Sequence, residues 1–361
     1  MSPKGGIDAA IMRPVHARRT VVPPTAPRSI LIVRLSALGD LVFCSSLLDA
    51  MRSRFPEARI DWLAQDGFCG LLRDDPRLDD AIAVSRQALT SPRAWLRLRR
   101  ELRSRDYDWV VDAQGLAKSR WLAWLAGGRR RVGFRSKEPL GFLLHERIDK
   151  GGDIAAIASE YRHLAEHLTG SPAPPPRLPV GDAAAARVAT AMRDAGLRPG
   201  FVALCPFTTR AQKHWPDAHW VQLAHDLAAS GLGPCVVFGG PSDRAQAAAL
   251  VARMPAGSID LSGRTALADL PAWLQQARLA IGVDTGLTHI AVAVHTPTVA
   301  LFGSTCPYTR GAESPLAVLY DALPCAPCKR RPSCDGAYTC LRQLTPRRVL
   351  DAGRHLLEPQ T

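Results

Sequence analysis

Two strand-to-helix turns, one in each half of the chain, constrain the fold more than any other feature. The first runs from Ser29 through an Ile-Leu-Ile-Val stretch to Gly39 and Asp40. The second runs from Ala280 through Ile-Gly-Val to Asp284, Thr285, Gly286, Leu287, Thr288 and His289. Each is a short apolar run, then small residues with glycine, then a helical pattern opened by a carboxylate or a hydroxyl. A helix N-terminus presents N–H groups without intrahelical partners, so such a turn aims an anion-binding end at whatever lies beyond the strand. Two of them predict a two-domain enzyme with its site in the cleft between the halves.

The remaining pattern agrees. At 361 residues the chain has room for about two ordinary domains. Apolar runs at 30–35, 60–63, 81–84 and 109–112 alternate with helical patterns at 41–55 and 119–125. A second series at 201–205, 235–238, 258–261, 279–283 and 298–302 alternates with helices at 220–230, 243–253 and 267–277. Such alternation predicts parallel α/β lobes. Residues 170–180 hold five prolines and no helical period, which marks a semi-rigid linker. The expected organisation is an unstructured start at 1–28, a first lobe at 29–169, the linker, a second lobe at 181–344, and a C-terminal helix at 345–361 with Pro346 in its first turn.

A net charge of +13 requires an anionic partner or a solvated basic face. Much of the excess lies in the first half. Residues 92–105 form a basic amphipathic pattern bearing Trp95, and Arg129, Arg130, Arg131, Arg135 and Lys137 form a second group. A nucleic-acid module is disfavoured, because these clusters lie in the opposite half from the cysteine-rich loop and aromatic residues make up only 6%. A dinucleotide-dependent dehydrogenase is disfavoured too: the first turn has one glycine where Gly-x-Gly-x-x-Gly is needed. No stretch approaches the roughly 20 apolar residues of a spanning helix.

Four motifs, in order and spacing, carry a family resemblance. They are Ser36 to Asp40, Asp112 to Ser119, Thr208 to Pro216 around Lys213, and Asp284 to His289. From about Ser29 onward the chain resembles the lipopolysaccharide heptosyltransferases of glycosyltransferase family 9. The stretch 107–119, with Gly133 and Glu138-Pro139-Leu140, looks most like the type that adds the first heptose. The resemblance implies a GT-B fold of two Rossmann-like lobes. It also implies inverting transfer of heptose from ADP-heptose to Kdo–lipid A, in the cytoplasm and peripherally on the inner face of the inner membrane. The alternative within the family is the second-heptose type, or transfer of a later core sugar.

On this resemblance Asp40 is the base that takes the acceptor hydroxyl proton; read alone, it serves equally as a helix-capping aspartate. Lys213, with Thr208 and Thr209, is expected at the diphosphate, whose leaving charge needs donors already in place. The Asp284 turn supplies a second anion site through the N–H groups of Thr285, Gly286 and Leu287. His289 is either near the donor or an ordinary packed histidine. Asp243 is placed at the ribose and Thr265 at the donor. Lys118, Arg120 and Arg135 fall on the acceptor side, where guanidinium groups pair with carboxylates and phosphates.

Cys325, Cys328, Cys334 and Cys340, separated by two, five and five residues, are a donor set for one structural zinc ion or a group of free thiols. The reaction itself calls for no cofactor. The remaining cysteines, Cys44, Cys69, Cys205, Cys235 and Cys306, read as core residues.

Overall fold

The structure, a computed structural model, describes residues 26–85, 87–329 and 331–358. The start expected to be unstructured lies outside the described residues as far as position 25. The first lobe contains β1 (Ser29–Val33), α1 (Leu38–Arg54), β2 (Arg59–Gln65), α2 (Asp66–Cys69), β3 (Asp80–Val84), α3 (Gln87–Thr90) and α4 (Pro92–Ser104). It continues with β4 (Trp109–Asp112), α5 (Ala117–Ala126), β5 (Arg130–Phe134), β6 (Glu146–Ile148) and α6 (Ser159–Thr169). Its six strands are parallel in the order β3-β2-β1-β4-β5-β6.

The second lobe repeats the plan with α7 (Asp182–Asp194), β7 (Val202–Cys205), α8 (Asp217–Ala229), β8 (Cys235–Val237), α9 (Arg244–Val251), β9 (Ile259–Asp260) and α10 (Leu270–Gln275). Then come β10 (Leu279–Val283), α11 (Gly286–Ala293), β11 (Thr298–Phe302), β12 (Leu316–Tyr320), α12 (Thr339–Arg342) and α13 (Pro346–Leu357). Its order is β12-β11-β10-β7-β8-β9, again all parallel. In each sheet the order reverses beside the first strand, between β1 and β4 and between β7 and β10. Ligands of doubly wound sheets bind beyond the strand ends at that point. All four motifs lie there.

Strands buried on both faces read as unbroken apolar runs, which is why β1 and β10 were legible. On one face of the first sheet Ile30, Ile32 and Trp62 pack under α1 and α6. This core passes without interruption into Val292, Ala300, Phe302 and Tyr308 of the second lobe. On the other face Leu31, Val33 and Leu63 pack under α4 and α5, with first-lobe residues alone. The linker carries no helix or strand, yet it is pinned. Arg177 pairs with buried Asp49 at 2.6 Å, Asp49 also binds Arg77 at 2.6 Å, and the Leu178 N–H donates to the Ala293 carbonyl at 2.9 Å.

The elements not anticipated include β5, β6, β12, α6 and α7. The start of β5 is Arg130-Arg131, which reads as a surface cluster, and β6 is a three-residue charged edge strand. The basic group therefore needs correcting. Arg130 pairs with Glu146 at 2.6 Å, Arg131 donates to the carbonyls of Leu143, Gly127 and Gly128, and Arg129 pairs with Asp108 at 3.2 Å. These three arginines hold strand ends together. Trp95 is likewise turned inward, stacked on Trp121 with ring centroids 6.0 Å apart.

Candidate active site

Asp40 lies in the first turn of α1, one turn beyond the end of β1. Its carboxylate accepts from the Ala37 N–H at 3.2 Å and is ion-paired with Arg34, while the side chain stays 41% exposed. It therefore caps its own helix and also faces solvent at the switch point. Arg34, which sequence reasoning did not single out, is only 6% exposed. It donates to the Ala113 carbonyl at 3.1 Å and lies over the Tyr161 ring at 5.5 Å. Its signal was a cation inside an otherwise apolar strand run. Gln114 of the second motif is structural, since its Oε1 accepts from the Leu35 N–H at 2.9 Å and braces the loop that carries Asp40.

Across the cleft, Lys213 sits on a 3-10 turn (Ala211–Lys213) after β7 and Asp284 ends β10. Because β7 and β10 pair, their loops meet: Lys213 Nζ lies 2.5 Å from Asp284 Oδ2, which also accepts from Thr305 Oγ1 at 2.5 Å. The other carboxylate oxygen lies 3.1 Å from His289 Nε2, and His289 Nδ1 lies 2.9 Å from the Tyr308 hydroxyl. Burial opposes the charge on Asp284, but the hydrogen bonds and charges of His289 and Lys213 prevail and hold its carboxyl well below the usual carboxylate range. Burial pushes the Tyr308 hydroxyl far up, so it stays protonated beside His289. With both ring nitrogens engaged and 5% exposure, His289 is packed in the interior and seats Asp284. Thr305 and Tyr308 escaped the sequence reading because they arrive from the loop after β11.

Thr285 caps α11, and Gly286 and Leu287 are its first residues. Their N–H groups have the expected place at the helix start. The close approach that Gly286 permits, however, is used by Leu38 of α1, whose Cγ would lie 2.6 Å from a methyl group there. Reciprocally, a methyl group on Gly39 would fall 2.6 Å from His289 Cδ2. Phe43 packs against His289 with ring centroids 4.5 Å apart and the rings tilted by 45°. The N-termini of α1 and α11 thus abut, and they bring Asp40 to the same groove as Lys213 and Asp284.

Asp243 spends one oxygen on its own turn, accepting from the Gly240 N–H at 2.7 Å. The segment carrying Thr265 packs on that turn, with Arg244 donating to the Gly263 carbonyl at 3.0 Å, so the two expected donor contacts share one corner. Thr208 and Thr209 border an open cavity of about 660 Å³, together with His214, Asp217, Gln246 and Arg342. Neither Asp40 nor Lys213 is among its lining residues.

The three basic residues expected on the acceptor side are placed differently. Arg120 is 1% exposed and donates to the carbonyls of Glu138, Pro139 (2.8 Å) and Phe134 (3.1 Å) and to Ser136 Oγ (2.8 Å). It ties down the loop after β5 and is not available to a substrate. Arg135 is paired with Asp149 at 2.7 Å but half exposed, and Lys118 is exposed at the first turn of α5. Cys325, Cys328, Cys334 and Cys340 line one small cavity of about 30 Å³ with Ser304 and Gln212. As placed, no three His, Cys, Asp or Glu side chains among the described residues are gathered into a ligand group. Cys44, Cys69, Cys205 and Cys235 are buried as expected, with burial pushing the Cys205 and Cys235 thiols up to about 12. Cys306 is exposed, because the chain has left β11 by that point.

Comparison with known proteins agrees with this geometry. Residues 95–339 match glycosyltransferase family 9 (heptosyltransferase). Lipopolysaccharide heptosyltransferase 1 of Pseudomonas aeruginosa is 31% identical over 315 residues, 84% of this chain and 86% of the relative. Lipopolysaccharide heptosyltransferase 2 of Escherichia coli is 26% identical over 91% of this chain and 98% of the relative. Among solved structures, the E. coli heptosyltransferase WaaC with ADP superposes with a TM-score of 0.70 at 26% identity, covering 91% of this chain and 99% of that one. The E. coli ADP-heptose heptosyltransferase II gives 0.73 at 24% identity, over 91% and 98%. Two parallel six-stranded lobes are the GT-B arrangement of these neighbours, and the chain belongs to glycosyltransferase family 9, the heptosyltransferase family.

Proposed function

We propose that the protein transfers heptose from ADP-heptose to Kdo–lipid A with inversion at the anomeric carbon, as a first-heptose enzyme of lipopolysaccharide core synthesis. One observation carries the reading: the packing of Gly39 on His289 sets an exposed carboxylate of the first lobe opposite a cation and a helix N-terminus of the second. In the reaction an acceptor oxygen attacks the anomeric carbon as the bond from that carbon to the diphosphate oxygen breaks. Asp40 takes the hydroxyl proton as the new bond forms. Lys213 and the first-turn N–H groups of α11 meet the charge gathering on the departing ADP. Asp284, fixed by His289 and Thr305, aims Lys213 before the donor arrives.

The substrate preference rests on likeness to first-heptose relatives. The solved WaaC complexes hold ADP and an ADP-heptose analogue. No helix among the described residues is long and apolar enough to cross a membrane, so an acceptor anchored in a leaflet would be met peripherally. The four-cysteine loop is proposed as a place for structural zinc, on its donor chemistry and shared cavity; metal content near one equivalent per chain supports this and a zinc-free, fully active protein removes it. A thermal-shift screen of nucleoside diphosphates tests the donor assignment. ADP should stabilise the protein above UDP and GDP, and equal response to all three would overturn ADP-heptose as donor.

A further inference from the structure

Five large apolar side chains are exposed among the described residues, and four of them, Leu96 (50%), Leu116, Trp124 and Phe142 (79%), share one region of the first lobe. They belong to α4, to the start and last turn of α5, and to the 3-10 turn Gly141–Leu143. These pieces form a connected surface. Trp95 of α4 stacks on Trp121 of α5, and Arg120 of α5 binds the carbonyls of Glu138 and Pro139 that lead into the 3-10 turn. The core beneath contains first-lobe residues alone, whereas the opposite face of the sheet joins the second lobe. Leu116 and Phe142 follow the C-terminal ends of β4 and β5, on the rim of the cleft.

The same surface is cationic. Arg93, Leu96, Arg97 and Arg100 recur at helical spacing, so they occupy one exposed face of α4, while Leu98 and Leu102 are buried on the other. Among the described residues no ion pair engages these three arginines. A helix with buried leucines behind and an arginine stripe with a leucine in front is the composition that lies flat in a lipid interface.

We propose that the α4–α5 face is where this protein docks onto an anionic lipid bilayer. The α4 arginines would lie over headgroup phosphates, with Leu96, Trp124 and Phe142 at the boundary of the acyl region. The cleft rim is thereby brought to the membrane surface, where a lipid-anchored acceptor would present its sugar. This inference rests on the acceptor reading above for its purpose, but the docking itself does not depend on which sugar is transferred. Each arginine near such a surface strengthens partition by about fivefold, and the effect fades with salt.

The test is co-sedimentation of the full-length protein with vesicles of phosphatidylglycerol and phosphatidylethanolamine, against vesicles of phosphatidylcholine. Binding is expected to the first, to weaken in high salt, and to be negligible with the second. Arg97→Glu/Arg100→Glu should reduce it by roughly 25-fold or more. Leu96→Glu/Phe142→Glu should reduce it too, and both variants should keep the parental melting temperature because all four side chains are exposed. Both should turn over a water-soluble, deacylated acceptor at the parental rate and lose activity only on vesicle-embedded acceptor. Absence of vesicle binding by the parent, binding to phosphatidylcholine equal to that on anionic vesicles, or variants that bind like the parent would each overturn the proposal. If vesicle binding follows the pattern but no Kdo-bearing acceptor is used, the function assignment falls and the docking face stands.

Discussion

Lys213 and Asp284 form a 2.5 Å ion pair at the point where a diphosphate is expected, so the cation of the donor site is already held by a protein carboxylate. Both side chains are largely buried, at 15% and 13% exposure. On the proposed reading an incoming diphosphate would not meet a free lysine. It would meet one held in place, which would lower the ordering cost of binding and give Asp284 a part in the site without any need for it to touch the sugar.

Lys213→Ala should therefore do two separable things. ADP affinity should fall by about tenfold or more, the worth of a charge-assisted hydrogen bond. Stability should fall by roughly 1–3 kcal/mol, because a buried carboxylate loses one partner while His289 and Thr305 remain. Calorimetric titration with ADP and denaturant unfolding read the two effects. Unchanged ADP affinity would place Lys213 outside the donor site.

Asp40→Asn should lower turnover by about 10²–10⁴-fold with ADP affinity intact, since the base is lost and the donor side is untouched. Asparagine is the better replacement because its amide oxygen can still accept from the buried Arg34 guanidinium, which alanine would leave without a side-chain acceptor there. Parental turnover in this variant would remove Asp40 from the mechanism.

The pH dependence follows from Asp284. Its folded-state pKa is depressed, so its contribution to stability is fully present above the unfolded value of about 4 and is lost as pH falls below that toward the folded value. The stability difference between the parent and Asp284→Asn should be constant from about pH 5 to 7 and shrink below about pH 4. Denaturant unfolding across that range measures it. A difference that shrinks between pH 5 and 7 would mean that His289 and Lys213 do not hold the carboxylate charged.

The readable parts of this site were those contiguous in sequence. Asp40, Lys213 and Asp284 each follow a buried strand whose apolar run is unmistakable, on the connection that leaves its C-terminal end. The partners of Asp284 were not readable, because Thr305 and Tyr308 reach the site from another turn; Arg34 lies in the same turn as Asp40, hidden at the end of an apolar run. Arginine misled twice. On a helix pattern Arg120 reads as a cation open to the acceptor, yet three carbonyls and a hydroxyl hold it in the interior. At 130–131 the same residue type opens a strand whose neighbours supply acceptors. Burial of a guanidinium depends on acceptors brought by tertiary structure, which a one-dimensional pattern does not display.

Arg120→Ala tests this corrected role. Loss of a buried cation from four acceptors should cost about 2–4 kcal/mol of stability, and Arg120→Lys should recover little, since one ammonium cannot span acceptors that a planar fork reaches. A variant of parental stability with weakened acceptor binding would instead return Arg120 to the substrate.

Gly39→Ala examines the contact between the lobes. In a helix this change ordinarily stabilises by about 0.4–1 kcal/mol, and Gly67→Ala in α2, where nothing lies within 4 Å of the added methyl, should do so. At Gly39 the methyl would meet His289 Cδ2 at 2.6 Å, and the ring has nowhere to go: Asp284 and Tyr308 hold its nitrogens and Phe43 covers its face. Relief must come from moving the start of α1, and Asp40 with it. We expect stability to fall by about 1–3 kcal/mol, as for overpacking of a filled core, and turnover to fall as well. Melting temperatures and initial rates of the two alanine variants, measured side by side, should move in opposite directions for stability. If Gly39→Ala is as benign as Gly67→Ala, the helix starts do not abut in the working enzyme and the groove shared by Asp40 and Asp284 must be assembled in some other way.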